Sequence, residues 1–379
     1  MNRVLITGGA GFIGSRLALR MLDKGWQVRV LDNLSEQIHG PDPRSTSPLF
    51  ASIDGRVEFI HGSVTVRDDW ARALVDQDVV VHLAAETGTG QSMYLVEKYV
   101  DVNVRGTSML LDMLANGKAS VRKVIIASSR AIYGEGKYES VELGVVYPSH
   151  RTDADMKAGQ FEVTYPGGGP LTLLPTDEDS KIHPTSVYGI TKQVQEQLVM
   201  NVCQARGIAS VSFRYQNVYG PGQSLNNPYT GILSIFSNRI RSRQPINIFE
   251  DGHESRDFVF ISDVVNATLA GIESAAADGQ IFNVGSGHPT TVLQVANKLV
   301  ELFGISVPVQ VSGMYRVGDI RHNVASVHKL QRVLGVSPQV AFHDGLARFV
   351  DWVKRQNVVG GNYEKSLSEM QERGLLKTS

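Results

Sequence analysis

Nearly continuous runs of β-branched and aliphatic residues alternate, in the first half of the chain, with segments whose apolar positions recur every three to four residues. Such runs are typical of parallel strands covered by helices on both faces, and the periodic segments predict amphipathic helices. The predicted strands are residues 3–6, 27–31, 57–61, 79–83, 121–127 and 209–215. The predicted helices are residues 14–24, 66–75, 104–116 and 186–206. This alternation predicts an α/β fold with a doubly wound parallel sheet.

The alternation weakens after Gly222, and the remaining pattern predicts a smaller C-terminal α/β lobe. Residues 231–243 and 264–275 have helical periodicity, and 247–249 and 280–284 have the pattern of short strands. We therefore expect a first domain of residues 1–216, to which residues 257–285 return. A smaller lobe is formed by residues 217–256 and 286–357, and residues 358–379 form a polar helix or a frayed tail.

One segment, residues 138–181, is rich in Gly, Pro, Asp and Thr and interrupts the first domain. We interpret it as a long insertion, with a β-hairpin around residues 160–165. Insertions of this kind are either lids and specificity elements or solvated decoration, and the sequence leaves both open.

Composition narrows the class of partner. The 379 residues include 37 basic and 38 acidic side chains, so no global field favours nucleic acid or a membrane surface. The single cysteine, Cys203, excludes a disulfide framework and a multi-cysteine metal site, and its helical setting predicts a buried thiol. We expect no metal. Because the sequence shows neither a basic leader nor an apolar run of roughly 20 residues, we expect a cytoplasmic protein.

The turn after the first strand, Thr-Gly-Gly-Ala-Gly-Phe-Ile-Gly at 7–14, has the spacing of a dinucleotide-binding loop. Gly8 permits the tight turn, Gly11 lets the backbone approach a pyrophosphate, and Gly14 permits close packing of helix on strand. The following helix offers its free N–H groups and dipole to the phosphates. Asp32, at the end of the second strand, would accept hydrogen bonds from ribose hydroxyls and repel a 2′-phosphate, which favours NAD over NADP.

Tyr188 and Lys192 are four residues apart, one helical turn, so that a phenol and an ammonium share a face. A free tyrosine has a pKa of about 10, and a neighbouring cation moves that pKa toward the range of a useful base. Such a base beside a dinucleotide indicates an enzyme that removes a hydride and a proton from an alcohol. The alternative is chance spacing on an exposed face.

Four motifs together carry a family resemblance: the glycine loop, His-Leu-Ala-Ala at 82–85, Ser-Ser at 128–129 ahead of Tyr-Gly at 133–134, and the Tyr188/Lys192 pair. With them the chain resembles the extended short-chain dehydrogenase/reductase family, in particular its nucleotide-sugar epimerases and dehydratases. The resemblance covers roughly residues 1–355 apart from the insertion. Residues 84–93 (Ala-Ala-Glu-Thr-Gly-Thr-Gly-Gln-Ser-Met), residues 128–136 (Ser-Ser-Arg-Ala-Ile-Tyr-Gly-Glu-Gly) and the long insertion look most like the dTDP-L-rhamnose 4-epimerases. It implies a Rossmann domain that binds NAD and a smaller lobe that binds a nucleotide sugar.

The resemblance also implies roles for single residues. Tyr188 matches the catalytic base, Lys192 its partner, and Ser129 the residue that hydrogen-bonds the reacting hydroxyl. Asn103 matches a residue that supports the cofactor, with a structural role in a bent helix as the alternative. The residues expected to bind the cofactor are Gly8, Gly11, Phe12, Ile13, Gly14, Asp32, Asn33, Ser63, Val64, Leu83, Ala84, Ala85, Asn103, Ser128, Tyr188, Lys192 and Gln216.

Two arginines, Arg256 and Arg316, match the family's diphosphate-binding positions, since guanidinium groups pair bidentately with phosphate oxygens. Each could instead belong to a surface ion pair. The residues expected to bind the substrate are Thr87, Ser129, Asn217, Arg256, Arg316 and Asp319.

A departure from the family pattern selects the reaction. Sugar 4,6-dehydratases carry an acidic pair directly after the hydroxyl residue, where this chain has Arg130 and Ala131, and neither side chain can transfer a proton at pH 7. The sequence therefore favours an NAD-retaining 4-epimerase over a dehydratase or a 4-keto reductase, with a non-catalytic NAD-binding regulator as a remote alternative. By analogy with the family we expect a homodimer through helices 104–116 and 186–206.

Overall fold

The computed structural model describes residues 2–117, 119–225, 227, 231–357 and 362–379. Its strands are β1 (Arg3–Thr7), β2 (Gln27–Asp32), β3 (Glu58–His61), β4 (Val79–His82), β5 (Lys123–Ser129), β6 (Lys137–Ser140), β7 (Gly144–Val146), β8 (Leu171–Leu174), β9 (Ala209–Tyr215), β10 (Asn217–Tyr219), β11 (Ile246–Ile248), β12 (Ser255–Phe260), β13 (Gln280–Val284), β14 (Pro289–Thr291), β15 (Val309–Val311), β16 (Met314–Arg316) and β17 (Leu376–Thr378).

The helices include several of a single turn, and three segments have other helical geometry. The α-helices are α1 (Phe12–Asp23), α2 (Glu36–His39), α3 (Pro43–Thr46), α4 (Pro48–Ile53), α5 (Arg67–Ala73), α6 (Thr89–Ser92), α7 (Val96–Tyr99), α8 (Gly106–Asn116), α9 (Asp153–Lys157), α10 (Val187–Arg206), α11 (Ile232–Arg241), α12 (Ile261–Glu273), α13 (Val292–Phe303), α14 (His328–Leu334), α15 (Phe342–Lys354) and α16 (Asn362–Glu372). A π-helical turn, Val100–Arg105, precedes α8, and 3-10 turns occur at Arg130–Tyr133 and Ala275–Ala277.

The centre of the molecule is a seven-stranded sheet with the order β13-β9-β5-β4-β1-β2-β3, in which every neighbouring pair is parallel. The six strands predicted in the first half of the chain all lie in this sheet, and β13 is the added strand expected at residues 280–284. The strand predicted at residues 247–249 is β11, which pairs with β15 in a separate sheet. The direction of winding reverses between β1 and β4, which opens a crevice at the carboxyl ends of these strands. The doubly wound fold predicted from the sequence is confirmed.

Helices cover both faces of the sheet, because successive side chains of each buried strand point in opposite directions. Val4 and Ile6 of β1 pack with α1 and α12, whereas Leu5 between them packs with α8 and α10. The second face includes Cys203, which is fully buried, and burial raises the pKa of this thiol to about 12. The predicted buried thiol is confirmed.

The insertion forms a three-stranded antiparallel sheet in the order β7-β6-β8. The hairpin predicted around residues 160–165 is wrong, because that stretch has no strand and its apolar side chains are anchored in two different places. Phe161 packs with Met156 and with Tyr315 of β16, while Val163 packs in the cluster of the insertion's own sheet. Residues i and i+2 of a strand point to the same face, so Phe161 and Val163, which pack in different clusters, do not belong to one strand.

Smaller sheets complete the second half of the chain. They pair β12 with both β10 and β14, β11 with β15, and β16 with β17. The last pair brings the C-terminus back onto the strand that carries Arg316, and Met370 and Leu376 of this terminal segment are buried. The terminal segment is therefore packed rather than frayed over residues 362–379, while residues 358–361 lie outside the described chain. Within the described ranges, no helix combines the length and the apolar character needed to cross a membrane.

Candidate active site

Two cavities adjoin at the carboxyl edge of the central sheet. The first cavity, about 410 Å³, lies over the glycine loop, and the second cavity, about 310 Å³, lies between the sheet edge and the smaller sheets. The residues that line both cavities are Ser129, Tyr188, Gln216, Val218 and Gln223. Two ligands bound side by side would therefore meet at a wall that contains a phenol and a hydroxyl.

The glycine loop has the geometry that its spacing predicts. Gly8 has φ of +67°, and a Cβ at this position would lie 2.8 Å from the backbone nitrogen of Ala84 on the neighbouring strand's loop. A Cβ on Gly14 would clash with the carbonyl oxygen of Gly8. Both glycines are thus required for α1 to begin directly beneath the loop. The first turn of α1, which starts at Phe12, faces the first cavity.

Asp32 lies at the end of β2 on the rim of the first cavity. Its carboxylate accepts hydrogen bonds from Ala10 N at 3.0 Å and Leu34 N at 2.8 Å. Burial raises the pKa of Asp32, and these two N–H donors and the neighbouring His39 oppose that rise. The two backbone bonds fix the carboxylate and leave lone pairs for the hydroxyls of a ribose.

Every residue that the sequence predicts for the cofactor site lines the first cavity, with the exception of Asn103. The hydroxyl of Ser128 and both amide atoms of Gln216 are buried there without a hydrogen-bond partner among the described residues. Buried polar atoms usually have partners, so these three atoms fit a polar ligand. The glycine loop, in which Gly8 has a positive φ, the N-terminus of α1 and the unpaired atoms of Ser128 and Gln216 together form a site that fits NAD.

Asn103 stands behind the wall of the first cavity instead of lining it. Its Oδ1 accepts from Glu86 N at 2.8 Å, and its Nδ2 donates to Glu86 O at 3.1 Å and to Thr191 Oγ1 at 3.0 Å. Thr191 in turn donates to the carbonyl of Tyr188 at 2.8 Å. Since protein groups occupy its amide, Asn103 supports the loop after β4 and the first turn of α10 rather than touching a ligand.

The position of Tyr188 is fixed by contacts of its backbone and of its side chain. Ser186 caps α10, and the backbone N–H of Tyr188 donates to Ser92 Oγ at 3.0 Å. The Ser129 hydroxyl lies near the phenol and lowers its pKa, and Ser129 Oγ accepts a hydrogen bond from Ala131 N at 3.1 Å. Lys192 Nζ donates to the carbonyl of Ala127 at 3.0 Å and lies 5.9 Å from the centre of the Tyr188 ring. The spacing thus brings the three predicted catalytic residues together.

The electrostatics around Tyr188 differ from the sequence-based expectation. Burial raises the pKa of the phenol, and the hydrogen bond from Ser129 and the charge of Arg130 lower it. The expected source of that charge was Lys192. Burial instead lowers the pKa of Lys192 to about 7, because this side chain is enclosed and its bonded partner is a neutral carbonyl. Arg130 is a second cation beside the phenol, and it stays charged at neutral pH although burial lowers its pKa to about 10.

The second cavity contains most of the residues predicted to bind substrate. Ser129, Asn217, Arg256, Arg316 and Asp319 line it. Thr87 is not part of this lining, because the chain turns at Gly88, which has φ of +115°. Thr87 faces the first cavity, and the next two residues, Gly88 and Thr89, face the second.

The two arginines predicted to bind a diphosphate differ in how far their guanidinium groups are already hydrogen-bonded within the protein. Arg256 donates to the carbonyls of Ser255, Ile320 and Arg321 and to Asp319 Oδ1 at 3.1 Å, so most of its guanidinium is used within the protein. Arg316 stacks on the Phe249 ring at 4.9 Å, and its buried Nε has no partner in the described chain. The arginine available to an anionic ligand is therefore Arg316.

Asp319 gives the second cavity a fixed negative group. Burial opposes its ionisation, but the charges of Arg256, Arg316 and Arg130 outweigh burial and lower the pKa of Asp319 to about 2. This carboxylate is ionised at neutral pH and can accept hydrogen bonds from hydroxyl groups.

Arg130 and Tyr363 are among the residues of the second cavity that the sequence-based prediction did not include. Arg130 directly follows Ser129 in the 3-10 turn, and its guanidinium forms no hydrogen bond or ion pair with any residue that the structure describes. Its place beside the reacting hydroxyl was a usable signal, since adjacent residues after a strand share the sheet edge. Tyr363 had no local signal. Among the described side chains, no group of three or more His, Cys, Asp or Glu is arranged to hold a metal.

Comparison with known proteins relates this arrangement to a family. The model of the NAD dependent epimerase/dehydratase family matches residues 4–151 and 162–285. A dTDP-L-rhamnose 4-epimerase of Burkholderia thailandensis is 36% identical over 358 residues, which are 94% of this chain and 96% of that protein.

Solved structures of nucleotide-sugar epimerases are also similar to this chain. The UDP-glucose 4-epimerase of Thermotoga maritima with UDP-glucose has a TM-score of 0.75 and 28% identity, covering 93% of this chain and 99% of that chain. The UDP-glucuronic acid 4-epimerase from Bacillus cereus, in complex with UDP-glucuronic acid and NAD, has a TM-score of 0.75 and 27% identity with the same coverage. The chain is therefore an enzyme of the NAD-dependent epimerase/dehydratase family, as its motifs indicated, and its cofactor is NAD.

Proposed function

We propose that the protein is a nucleotide-sugar 4-epimerase that retains NAD and acts on a dTDP-6-deoxyhexose such as dTDP-L-rhamnose. The observation that carries this proposal is the shared wall of the two cavities, where Tyr188 and Ser129 reach both sides. NAD in the first cavity and a sugar in the second would place the reacting carbon beside the phenol.

The residues of the shared wall have complementary tasks. Tyr188 accepts the proton of the C4 hydroxyl, and Ser129, which lies beside the phenol in the same wall, orients that hydroxyl. When bound, NAD accepts a hydride from C4 and returns it to the opposite face of the sugar. Tyr188 then gives the proton back, so that the protein and its cofactor end the cycle unchanged.

The residues after Ser129 favour epimerisation over dehydration. Dehydration at C5 and C6 needs groups that move protons there, and the two positions that follow the hydroxyl residue carry Arg130 and Ala131. An arginine stays protonated near neutral pH and an alanine has no proton to transfer. Epimerisation requires only the proton transfer at C4 and space for the sugar to turn.

The second cavity supports the substrate class. Arg316 offers a free guanidinium to a diphosphate, and Asn217 Oδ1 is buried without a partner among the described residues. The deoxyhexose is supported by the similarity to the Burkholderia thailandensis dTDP-L-rhamnose 4-epimerase. Both solved structures described above are 4-epimerases of nucleotide sugars.

Product analysis tests the proposal. We expect the purified protein to convert dTDP-L-rhamnose to an equilibrium mixture with dTDP-6-deoxy-L-talose, seen by NMR as inversion at C4 with no change in mass. UDP-glucose and UDP-glucuronic acid, offered in parallel, should react more slowly. A product lighter by one water would indicate a dehydratase, and stoichiometric consumption of added NADH would indicate a reductase. Either result would reject the epimerase.

We also propose a homodimer formed through α8 and α10. Val96, Val100 and Ile190 are exposed apolar side chains on α7, the π-helical turn and α10, elements that pack against one another. Covering them in a helical interface would remove apolar surface from water. We expect sedimentation equilibrium to give twice the chain mass of 41.4 kDa. A monomer at micromolar concentration would contradict this assembly.

A further inference from the structure

The C-terminal segment, defined as residues 362–379, lies against one wall of the second cavity. Glu369 of α16 accepts a hydrogen bond from the Tyr94 hydroxyl at 3.2 Å, and the Arg373 guanidinium lies 4.5 Å from the centre of the Tyr94 ring. Met370 is buried next to Gly90 of α6. The first residue of α6, Thr89, lines the second cavity.

The same segment is fastened to a second wall. Strand β17 pairs with β16, so that Leu376 is opposite Arg316, and Val317 N donates to Leu375 O at 3.0 Å. Lys377 Nζ also donates to Asp153 of the insertion at 2.8 Å. These contacts hold the terminal strand beside the free guanidinium of the second cavity.

A third set of contacts reaches α11. Arg239 donates to Glu364 at 2.8 Å, and its guanidinium lies 5.5 Å from the centre of the Tyr363 ring. Phe236, one turn earlier in α11, lines the second cavity. The C-terminal segment therefore connects three elements that each contribute to the wall of one cavity, and it closes the space between them.

Tyr363 itself is part of that wall. It lines the second cavity together with Phe249 and Arg316, and it is partly buried. Its neighbours Arg239 and Arg316 place it on the side of α11 and β16, whereas Tyr188 lies at the edge of the central sheet. A substrate with its sugar at Tyr188 and its diphosphate at Arg316 would extend its nucleoside toward Tyr363.

We propose that the C-terminal segment completes the substrate site and that the Tyr363 ring packs against the nucleoside of the nucleotide sugar. This inference rests on the proposed function for the class of substrate. Packing of a nucleoside on an aromatic ring suits both partners, because each presents a flat apolar face. Tyr363 is thus a binding residue, distant from the reacting carbon.

The experiment measures binding of dTDP to the NAD-loaded protein by calorimetry. We expect Tyr363→Ala to weaken dTDP binding about five- to tenfold, in the range of a single aromatic contact with a base. Tyr363→Phe should bind like the wild type, because it keeps the ring. Glu372→Ala, an exposed position on the same helix, is the matched control. With the nucleotide sugar, Tyr363→Ala should raise KM by a similar factor and leave kcat unchanged.

The outcomes separate this inference from the proposed function. A wild-type protein that epimerises its substrate, combined with unchanged dTDP affinity in Tyr363→Ala, overturns the role of Tyr363 alone. A wild-type protein that binds dTDP without epimerising any sugar rejects the proposed function, and the comparison of the variants still decides the binding role. If Tyr363→Ala loses its NAD or its circular dichroism spectrum, Tyr363→Leu replaces it, and wild-type affinity in Tyr363→Leu also overturns the inference.

Discussion

Replacing Tyr188 with phenylalanine is expected to lower kcat by roughly 10²- to 10⁴-fold, the usual contribution of a general base. The change removes one oxygen and keeps the ring, whose edge contact with Tyr99 and proximity to Lys192 stay in place. NAD should therefore stay bound, and the melting temperature should change little. Turnover of the nucleotide sugar and NAD released on denaturation are the two measurements.

Tyr138→Phe is the control for this variant. Tyr138 is a buried tyrosine of the insertion, and its hydroxyl has no hydrogen-bond partner in the part of the chain that is described. Its removal should leave turnover within about twofold, because no cavity residue depends on it. Full activity in Tyr188→Phe would show that another group takes the C4 proton, and the mechanism proposed for the shared wall would be wrong.

The central sheet was predictable because its signal is local. Each buried strand is a short run such as Val79–His82, and burial on both faces requires every residue of the run to be apolar or internally paired. His82 shows the second case, since Thr7 and Thr107 hydroxyls lie 2.7 Å and 3.0 Å from its ring nitrogens. The positions of the glycine loop, Ser129, Tyr188 and Lys192 at the carboxyl edge then follow from the topology.

The state of individual charges was not predictable in the same way. The motif around Arg256 indicates a diphosphate ligand, yet the guanidinium is taken up by carbonyls of residues 320–321, which are distant in sequence. Lys192 has the spacing of a charge partner, but the depth of its burial comes from the whole fold. The desolvation of a charged side chain depends on every element packed around it, so it cannot be predicted from a short sequence motif.

The terminal segment illustrates another limit. Residues 362–372 have few apolar positions, and a helix of that composition is ordinarily solvated. Its placement depends on single contacts with distant partners, among them Tyr94, Arg239 and β16. Such contacts leave no periodic signal in the sequence, and for this reason Tyr363 could be assigned to the second cavity only from the structure.

Replacing Arg130 with methionine is expected to lower kcat/KM at neutral pH, because the change removes a positive charge that favours the ionised form of the Tyr188 phenol. Tyr188 works as a base only when it is deprotonated, so activity rises as pH rises through its pKa. The charge of Arg130 lowers that pKa. Without the charge the pKa of Tyr188 rises, and the acidic limb of the pH–rate profile should move to higher pH.

The shape of the profile distinguishes this effect from a loss of substrate binding. Arg130→Lys keeps a cation near the phenol and should restore the position of the acidic limb. Its maximal rate should stay below that of the wild type, because a single ammonium replaces the planar guanidinium. At a pH above the shifted limb, Arg130→Met should recover most of its kcat, since the phenolate is then formed without help. An unshifted limb with a uniformly reduced rate would instead assign Arg130 to contact with the sugar, and the phenolate would have to be stabilised by Lys192 after all.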